Sequence, residues 1–362
     1  MLYWLLVPLR SEFFFFNVVR YITVRTAAAG ITALVLSFLL APRIIRLLER
    51  KQIGQEIRAD GPKSHYAKKG TPSMGGLIVI LCTLVPTLLW GNLANLYVWV
   101  AVLSMVLFGL VGLIDDALKV RRKQSLGLRP GQKIVLQIGL AALVGLAFIW
   151  LASANQFSLA LSVPFFKKFV PFLGWFYLPW IVFILVGSSN AVNLADGLDG
   201  LAIGLTLISA TALTALTYVA GHADWSRYLN IARVPQAAEL TVFVGAFTGA
   251  CLGFLWFNCH PAKVFMGDVG ALSLGGTMAV IALLIKQELL LFTVAGVFIL
   301  EALSVVLQVS YFKMSRGRRI FKMAPLHHHF ELSGWPEEQV VIRFWIMGII
   351  FALFSLSTLK LR

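Results

Sequence analysis

Apolar stretches long enough to cross a bilayer recur along the whole chain, separated by short polar loops, and this repetition constrains the fold more than any single motif. A hydrocarbon layer about 30 Å thick takes about 20 helical residues to cross. Within it, only helices or closed barrels satisfy every backbone N–H and C=O. Ten runs lie near residues 24–42, 75–93, 97–114, 132–152, 177–192, 200–220, 238–257, 269–285, 289–312 and 340–359. The expected fold is therefore an all-α polytopic membrane protein with about ten transmembrane helices. A chain of 362 residues that is 59% hydrophobic and 13% charged has too much apolar surface for a soluble core of its size. Residues 1–362 read as a single integral membrane domain. Residues 1–23, interrupted by Pro8, Arg10, Ser11 and Glu12, read as an interfacial segment rather than a span or a cleaved signal.

With ten spans both termini fall on one side, and the loops sort into two sets. One set holds Arg43 to Lys69, Lys119 to Lys133, Lys263, and Lys313 to Arg343, which together carry 21 of the 31 basic residues. The positive-inside bias makes that set cytoplasmic and both termini periplasmic. The net charge of +15 is then mostly juxtamembrane charge facing anionic headgroups, so the expected partner is membrane lipid and not nucleic acid. Cys82, Cys251 and Cys259 lie in or beside spans without CxxC spacing, which supports neither a disulfide framework nor a cysteine metal site.

Only 16 acidic residues exist, so their positions carry information. Asp115, Asp116, Asp196, Asp199 and Asp268 sit at the cytoplasmic ends of spans or just beyond them, at one membrane depth. Carboxylates there are costly unless they pair, bind a cation or face water. The third span ends GLIDDALKVRRK, where adjacent helical residues diverge by roughly 100°, so Asp115 and Asp116 need not share one ion. A solvated Asp/Lys helix end is the plain alternative. GSSNAVNLADGLDGLA offers Asn193, Asp196 and Asp199 amid turn-permitting glycines; helix capping by either aspartate is compatible with that reading. In FNCHPAKVFMGDVGALSLGG, Asp268 is an N-cap candidate and also an oxygen ligand at a positive helix end, a position that suits a Mg²⁺-diphosphate. Phe265 is either packing or a ring for a base to stack on.

The last cytoplasmic loop carries His327, His328 and His329. Three consecutive side chains diverge on a helix, which makes a poor zinc site. Contact with phosphate, substrate carboxylates or nearby acids fits imidazoles better. Glu301, Ser304 and Gln308 follow three-and-four spacing, a polar stripe expected to look into the bundle. In DGPKSHYAKKGTPSMGG the basic residues are ordinary membrane anchors by default, while the glycine-rich turn suits delivery of Lys68 and Ser73 to an anion.

Together DDALK, NAVNLADGLDG, FNCHPAKVFMGDVG and MAPLHHHFELSGWPE resemble the signature set of the phospho-N-acetylmuramoyl-pentapeptide transferase family, over nearly the whole chain. The resemblance implies a bacterial inner-membrane, Mg²⁺-dependent enzyme, usually a homodimer. It would move phospho-MurNAc-pentapeptide from its UDP carrier to undecaprenyl phosphate, giving lipid I and UMP in peptidoglycan synthesis. It implies Asp115 and Asp116 as the catalytic pair and Asp268 as the principal Mg²⁺ ligand, with both members of the pair as further candidate ligands. His327, His328, His329, Lys68, Lys119, Lys123 and Lys133 are implied in activity or phosphate contact. Asn193, Asp196, Asp199, Asn258, Phe265 and Gln308 would line the nucleoside-sugar site, with Phe265 against the uracil. Ser73 stands where members often carry threonine, and its hydroxyl is retained.

The chemistry is coherent without the name, because a phosphate attacking a diphosphate needs cations to neutralise both anions. A sister enzyme moving GlcNAc-1-phosphate onto a polyprenyl phosphate would share the acidic motifs; the HHHFE and GWPE stretch points to the murein member. A secondary transporter would set its acids near mid-bilayer, where only Glu301 fits.

Overall fold

The computed structural model describes every residue except 9–13, 52–69, 123, 125–126, 165, 167–168 and 361–362. The regular structure of the described residues is helical, joined by turns and irregular loops, with an isolated antiparallel bridge between Ala160 and Phe172. Among them, nine helices are long and apolar enough to cross a membrane, the composition of a multi-pass membrane protein. Their lipid-facing surfaces carry Leu39, Val135, Leu146, Phe183, Leu303 and Ile350 exposed, the reverse of a soluble surface.

In chain order, α1 (Leu2–Leu6) precedes the long α2 (Ile22–Arg50), α3 (Gly76–Trp90), α4 (Leu96–Arg122), α5 (Pro130–Ser153) and α6 (Tyr177–Ala195). Then come α7 (Leu201–Gly221), the short α8 (Ala223–Leu229), α9 (Ala237–Asn258) and α10 (Gly267–Leu284). The chain ends with α11 (Leu291–Val294), α12 (Gly296–Met314), α13 (Leu326–Glu331) and α14 (Glu337–Ser357). The central element is α10, buried at every position from Val269 to Leu284 and packed against α4, α6 and α3. A helix apolar all round belongs in such a place. Around it, α9 packs along α2 through small residues: Gly245 on Thr26, Gly249 on Gly30 and Gly253 on Ser37. Small residues at four-residue spacing let helix backbones meet closely where lipid offers no hydrophobic drive. Buried hydroxyls bond back to the preceding turn, as Thr83 does to the Val79 carbonyl and Thr217 to that of Leu213.

Against the expected spans, α2 and α4 run on past 42 and 114 to Arg50 and Arg122, and two others are shortened or broken. The helix expected over 75–93 has only 15 residues: it stops at Trp90, where Gly91 turns extended with φ −74 and ψ 152, and its start at Gly76 is fixed by pairing with the segment before α10, in which the Phe265 amide donates to the Pro72 carbonyl and the Gly75 and Gly76 amides donate to the carbonyls of Phe265 and Met266. The run expected over 289–312 is broken into α11 and α12 at Ala295–Gly296. Gly296 is a poor helix former and its backbone abuts the Phe351 ring, leaving no room for a side chain.

The N-terminal residues form α1 and a 3₁₀ helix over Phe14–Arg20, both too short to cross a bilayer. The Met1 ammonium donates to the Leu88 carbonyl at the end of α3. Near the C-terminus, Lys360 lies 3.6 Å above the Tyr228 ring. Both termini thus lie at the end of the bundle away from the acidic segments.

Candidate active site

At the acid-bearing end, α4, α5, α6 and α10 converge. The meeting of α4 and α10 is set by Gly112: a Cβ there would run into the backbone of Asp268 and Val269. That close approach brings Asp115 and Asp116, one turn further on, beside Asp268 in the first turn of α10. Each of the three carboxylates offers an oxygen within 4.8 Å of the others. Gly267 supplies the bend into α10 with φ +71, a left-handed conformation that suits glycine, and its free face lies against the Asp116 carboxylate and the Ser73 hydroxyl.

The Lys119 ammonium sits among the carboxylates, 2.7 Å from Asp115, 3.1 Å from Asp116 and 2.7 Å from Asp268. Lys133, from the first turn of α5, reaches the same Asp268 oxygen at 2.9 Å. Backbone amides complete the shell: Leu128 donates to Asp115 at 2.8 Å and Val269 to Asp116 at 3.2 Å. The Asn193 amide, oriented to satisfy both neighbours, donates to Asp268 at 2.8 Å and accepts from Lys133 at 3.2 Å. The α4–α5 turn needs Gly127, whose missing side chain leaves room for Asp115.

Asp196 follows the end of α6 and faces this cluster. Burial first, then the carboxylates of Asp268, Asp116 and Asp199, pushes its carboxyl up to about 8. Hard carboxylate oxygens converging around an ammonium, itself a monovalent cation, form a donor set that fits a divalent ion such as Mg²⁺. Such an ion would supply positive charge to neutralise an anionic group brought to these residues.

The other expected site residues have varied surroundings. Phe265 is half-buried in the strand-like segment opposite Pro72. Asp199 accepts from His260 Nδ1 and the Ala262 amide, both at 3.1 Å, while its own amide donates to Glu337 at 2.9 Å. Asn258 accepts from the Gly200 amide and donates to the Val264 carbonyl, so it ties the two loops together. Gln308 accepts from the Ile320 and Phe321 amides and donates to the Phe321 carbonyl. Asn258 and Gln308 therefore both spend their amides on backbone.

The three histidines diverge. His327 is fully buried beside Glu301, His328 pairs with Glu331 at 2.8 Å, and His329 accepts from the Lys322 amide at 3.1 Å. Of these, His327 reaches the Asp196 turn, its ring filling the space where a side chain on Gly197 would be. Lys68 and Lys123 lie outside the described residues. Sequence reasoning missed Gly112, Gly267 and Glu337. The only signals available were the glycines one turn before Asp116 and immediately before Asp268, and an acid following Pro336.

The pattern described as glycosyl transferase family 4 matches residues 98–286, from α4 to the end of α10, and so includes the three carboxylates. A phospho-N-acetylmuramoyl-pentapeptide-transferase of Koribacter versatilis is 52% identical over the full length of both chains. The chain belongs to that family. The Solidesulfovibrio magneticus and Thermodesulfovibrio yellowstonii proteins of the same name are 53% and 52% identical, again over the whole of both chains. Membership of the pentapeptide-transferase family thus extends across α12, α13 and α14, beyond the segment that the broader pattern covers.

Proposed function

We propose that this protein transfers phospho-MurNAc-pentapeptide from UDP-MurNAc-pentapeptide to undecaprenyl phosphate, forming lipid I and releasing UMP, with Mg²⁺ as cofactor. The observation that carries the proposal is the convergence of Asp115, Asp116 and Asp268 from two helices around Lys119, with Lys133 alongside. Full-length relatives bearing the pentapeptide-transferase name favour this donor over UDP-GlcNAc. The excess of basic residues in the loops at the site end supports a cytoplasmic site in the bacterial inner membrane, with both termini periplasmic. The family resemblance supports a homodimer.

In the reaction, an oxygen of the lipid phosphate attacks the β-phosphorus of the donor. The bond from that phosphorus to the bridging oxygen breaks, and UMP leaves with the electron pair. Asp115 or Asp116 orients or deprotonates the acceptor phosphate for this direct attack. Lys119 and Lys133 offset the charge spread over the transferring phosphoryl oxygens. Asp268, held by Lys133 and Asn193, is the principal metal-holding carboxylate. Asn193, Asp196 and Phe265 line the donor side, and Ser73 borders it beside Gly267.

A donor assay tests the reading. Purified protein in detergent, given undecaprenyl phosphate and Mg²⁺, is expected to release UMP from UDP-MurNAc-pentapeptide and not from UDP-GlcNAc. The reverse preference would support the sister activity, and release from neither would overturn both.

A further inference from the structure

The buried carboxylate of Glu301 is not used by the chemistry above. It lies in α12 with no exposed surface, and one of its oxygens has no hydrogen-bond partner. Among the described residues no lysine or arginine pairs with it. A buried carboxylate without a cation is costly, and lipid surroundings make it more so. Its neighbour is His327: Glu301 Oε1 accepts from the His327 backbone amide at 3.2 Å and lies 3.3 Å from His327 Nδ1, an ion-pair distance, while both ring nitrogens are buried and make no hydrogen bond. The Ser304 hydroxyl donates to the Glu301 carbonyl at 2.7 Å.

The same helix face explains how the histidine arrives there. Gln308 grips the backbone of Ile320 and Phe321, two turns along α12 from Glu301. The segment from Ile320 to His327 therefore runs back along α12 into the bundle, fixed at one end by an amide and at the other by a carboxylate. The imidazole is enclosed between Glu301, the Gly197 backbone and the His328 ring, whose centroid is 4.1 Å away. Its Nε2 faces Gly197, in the turn that carries Asp196 towards the carboxylate cluster.

We propose that Glu301 is a positioning residue for the transfer reaction: its carboxylate, facing His327 Nδ1, keeps the ring proton on that nitrogen and so presents Nε2 to the Asp196–Gly197 turn beside the carboxylate cluster. A carboxylate on one imidazole nitrogen fixes the tautomer and ring orientation presented by the other. The proposal rests on the transferase reading for its consequence in turnover, but not for its geometry.

Two measurements test it. In wild-type protein carrying ¹⁵N-histidine, the signal that disappears in His327→Asn is expected to show a protonated Nδ1. A bare Nδ1 with a protonated Nε2 would overturn the proposal. In UMP release, Glu301→Gln is expected to lower kcat by about 10- to 100-fold, the size of effect seen when a histidine loses its orienting partner, with donor KM within about threefold. Glu301→Gln added to His327→Asn should cost nothing further, because the carboxylate acts through the ring. Multiplicative losses in the double variant would contradict it, as would wild-type kcat in Glu301→Gln. Gly197→Ala, which crowds the ring from the opposite side, should lower kcat similarly. Absence of UMP release from the wild type would sink the transferase reading and leave the tautomer measurement standing.

Discussion

The two ends of the bundle both bury charge, in opposite ways. At the end bearing the termini, the charges are matched. Arg25 meets Glu239 through two bonds of 2.7 and 2.6 Å, and the Lys286 ammonium sits 3.3 Å from Glu288 and 2.7 Å from the Tyr177 hydroxyl, which itself donates to Glu288 at 2.8 Å. Lys286 also lies over the Phe157 and Tyr177 rings. Burial pushes the Lys286 ammonium down and the Glu288 carboxyl up, yet each finds its partner inside the protein. At the other end, three carboxylates share two lysines, with Asp196 close by. In the matched clusters each charge has a counter-charge within the protein. The unmatched one carries more carboxylate than ammonium, the surplus that a cation would balance in the proposed reaction.

The largest effect that would break this contrast is on turnover. Asp116→Asn removes a carboxylate from the unmatched cluster and should lower UMP release by about 10³-fold or more, the scale of losing a preorganised charge in a transition state. Lys133→Ala comes next, at about 10²-fold, because Asp268 loses one of its two ammonium partners. Lys286→Met, in the matched cluster, should leave kcat within about twofold and instead lower unfolding stability by about 3 kcal/mol, since Glu288 is left buried and uncompensated. Denaturation in mixed micelles reads that loss, and Lys286→Met with Glu288→Leu should restore most of it.

The smallest effect is one of pH. Asp196 has a folded-state value of about 8 against an ordinary 3.8, so the stability of its protonated form is full below about pH 4 and is lost as pH rises through about 8. In EDTA, Asp196→Asn should match the wild-type melting temperature near pH 4. The gap should open above that, with the variant more stable by a few degrees at pH 9. An equal gap at every pH would mean that Asp196 is not buried against its neighbours.

Much of this contrast is legible in the amino-acid sequence, for physical reasons. Lipid forces helices, so α5, α7 and α9 fall within a few residues of their hydrophobic runs. Acids are scarce here, so Asp115, Asp116 and Asp268 stand out, and the structure brings them together. Hidden features depend on partners distant in sequence. Lys286 and Glu288 stand two residues apart in IKQE, but their third member, Tyr177, is more than a hundred residues away. Asn258 and Gln308 are expected from the resemblance to line the nucleoside-sugar site; composition does not reveal that backbone groups occupy their amides. The break at Gly296 depends on the Phe351 ring of another helix. Glu301 is legible as part of a polar stripe, but its meeting with His327 requires the loop to turn back along α12.

The most direct test of the unmatched cluster as a cation-dependent transfer centre is UMP release from UDP-MurNAc-pentapeptide as Mg²⁺ is restored to EDTA-treated protein, for wild type and Asp268→Asn in parallel. The wild type should be silent without the ion and active with it, and the variant silent throughout. Turnover in EDTA, or a variant that matches wild type at every Mg²⁺ concentration, would contradict the account.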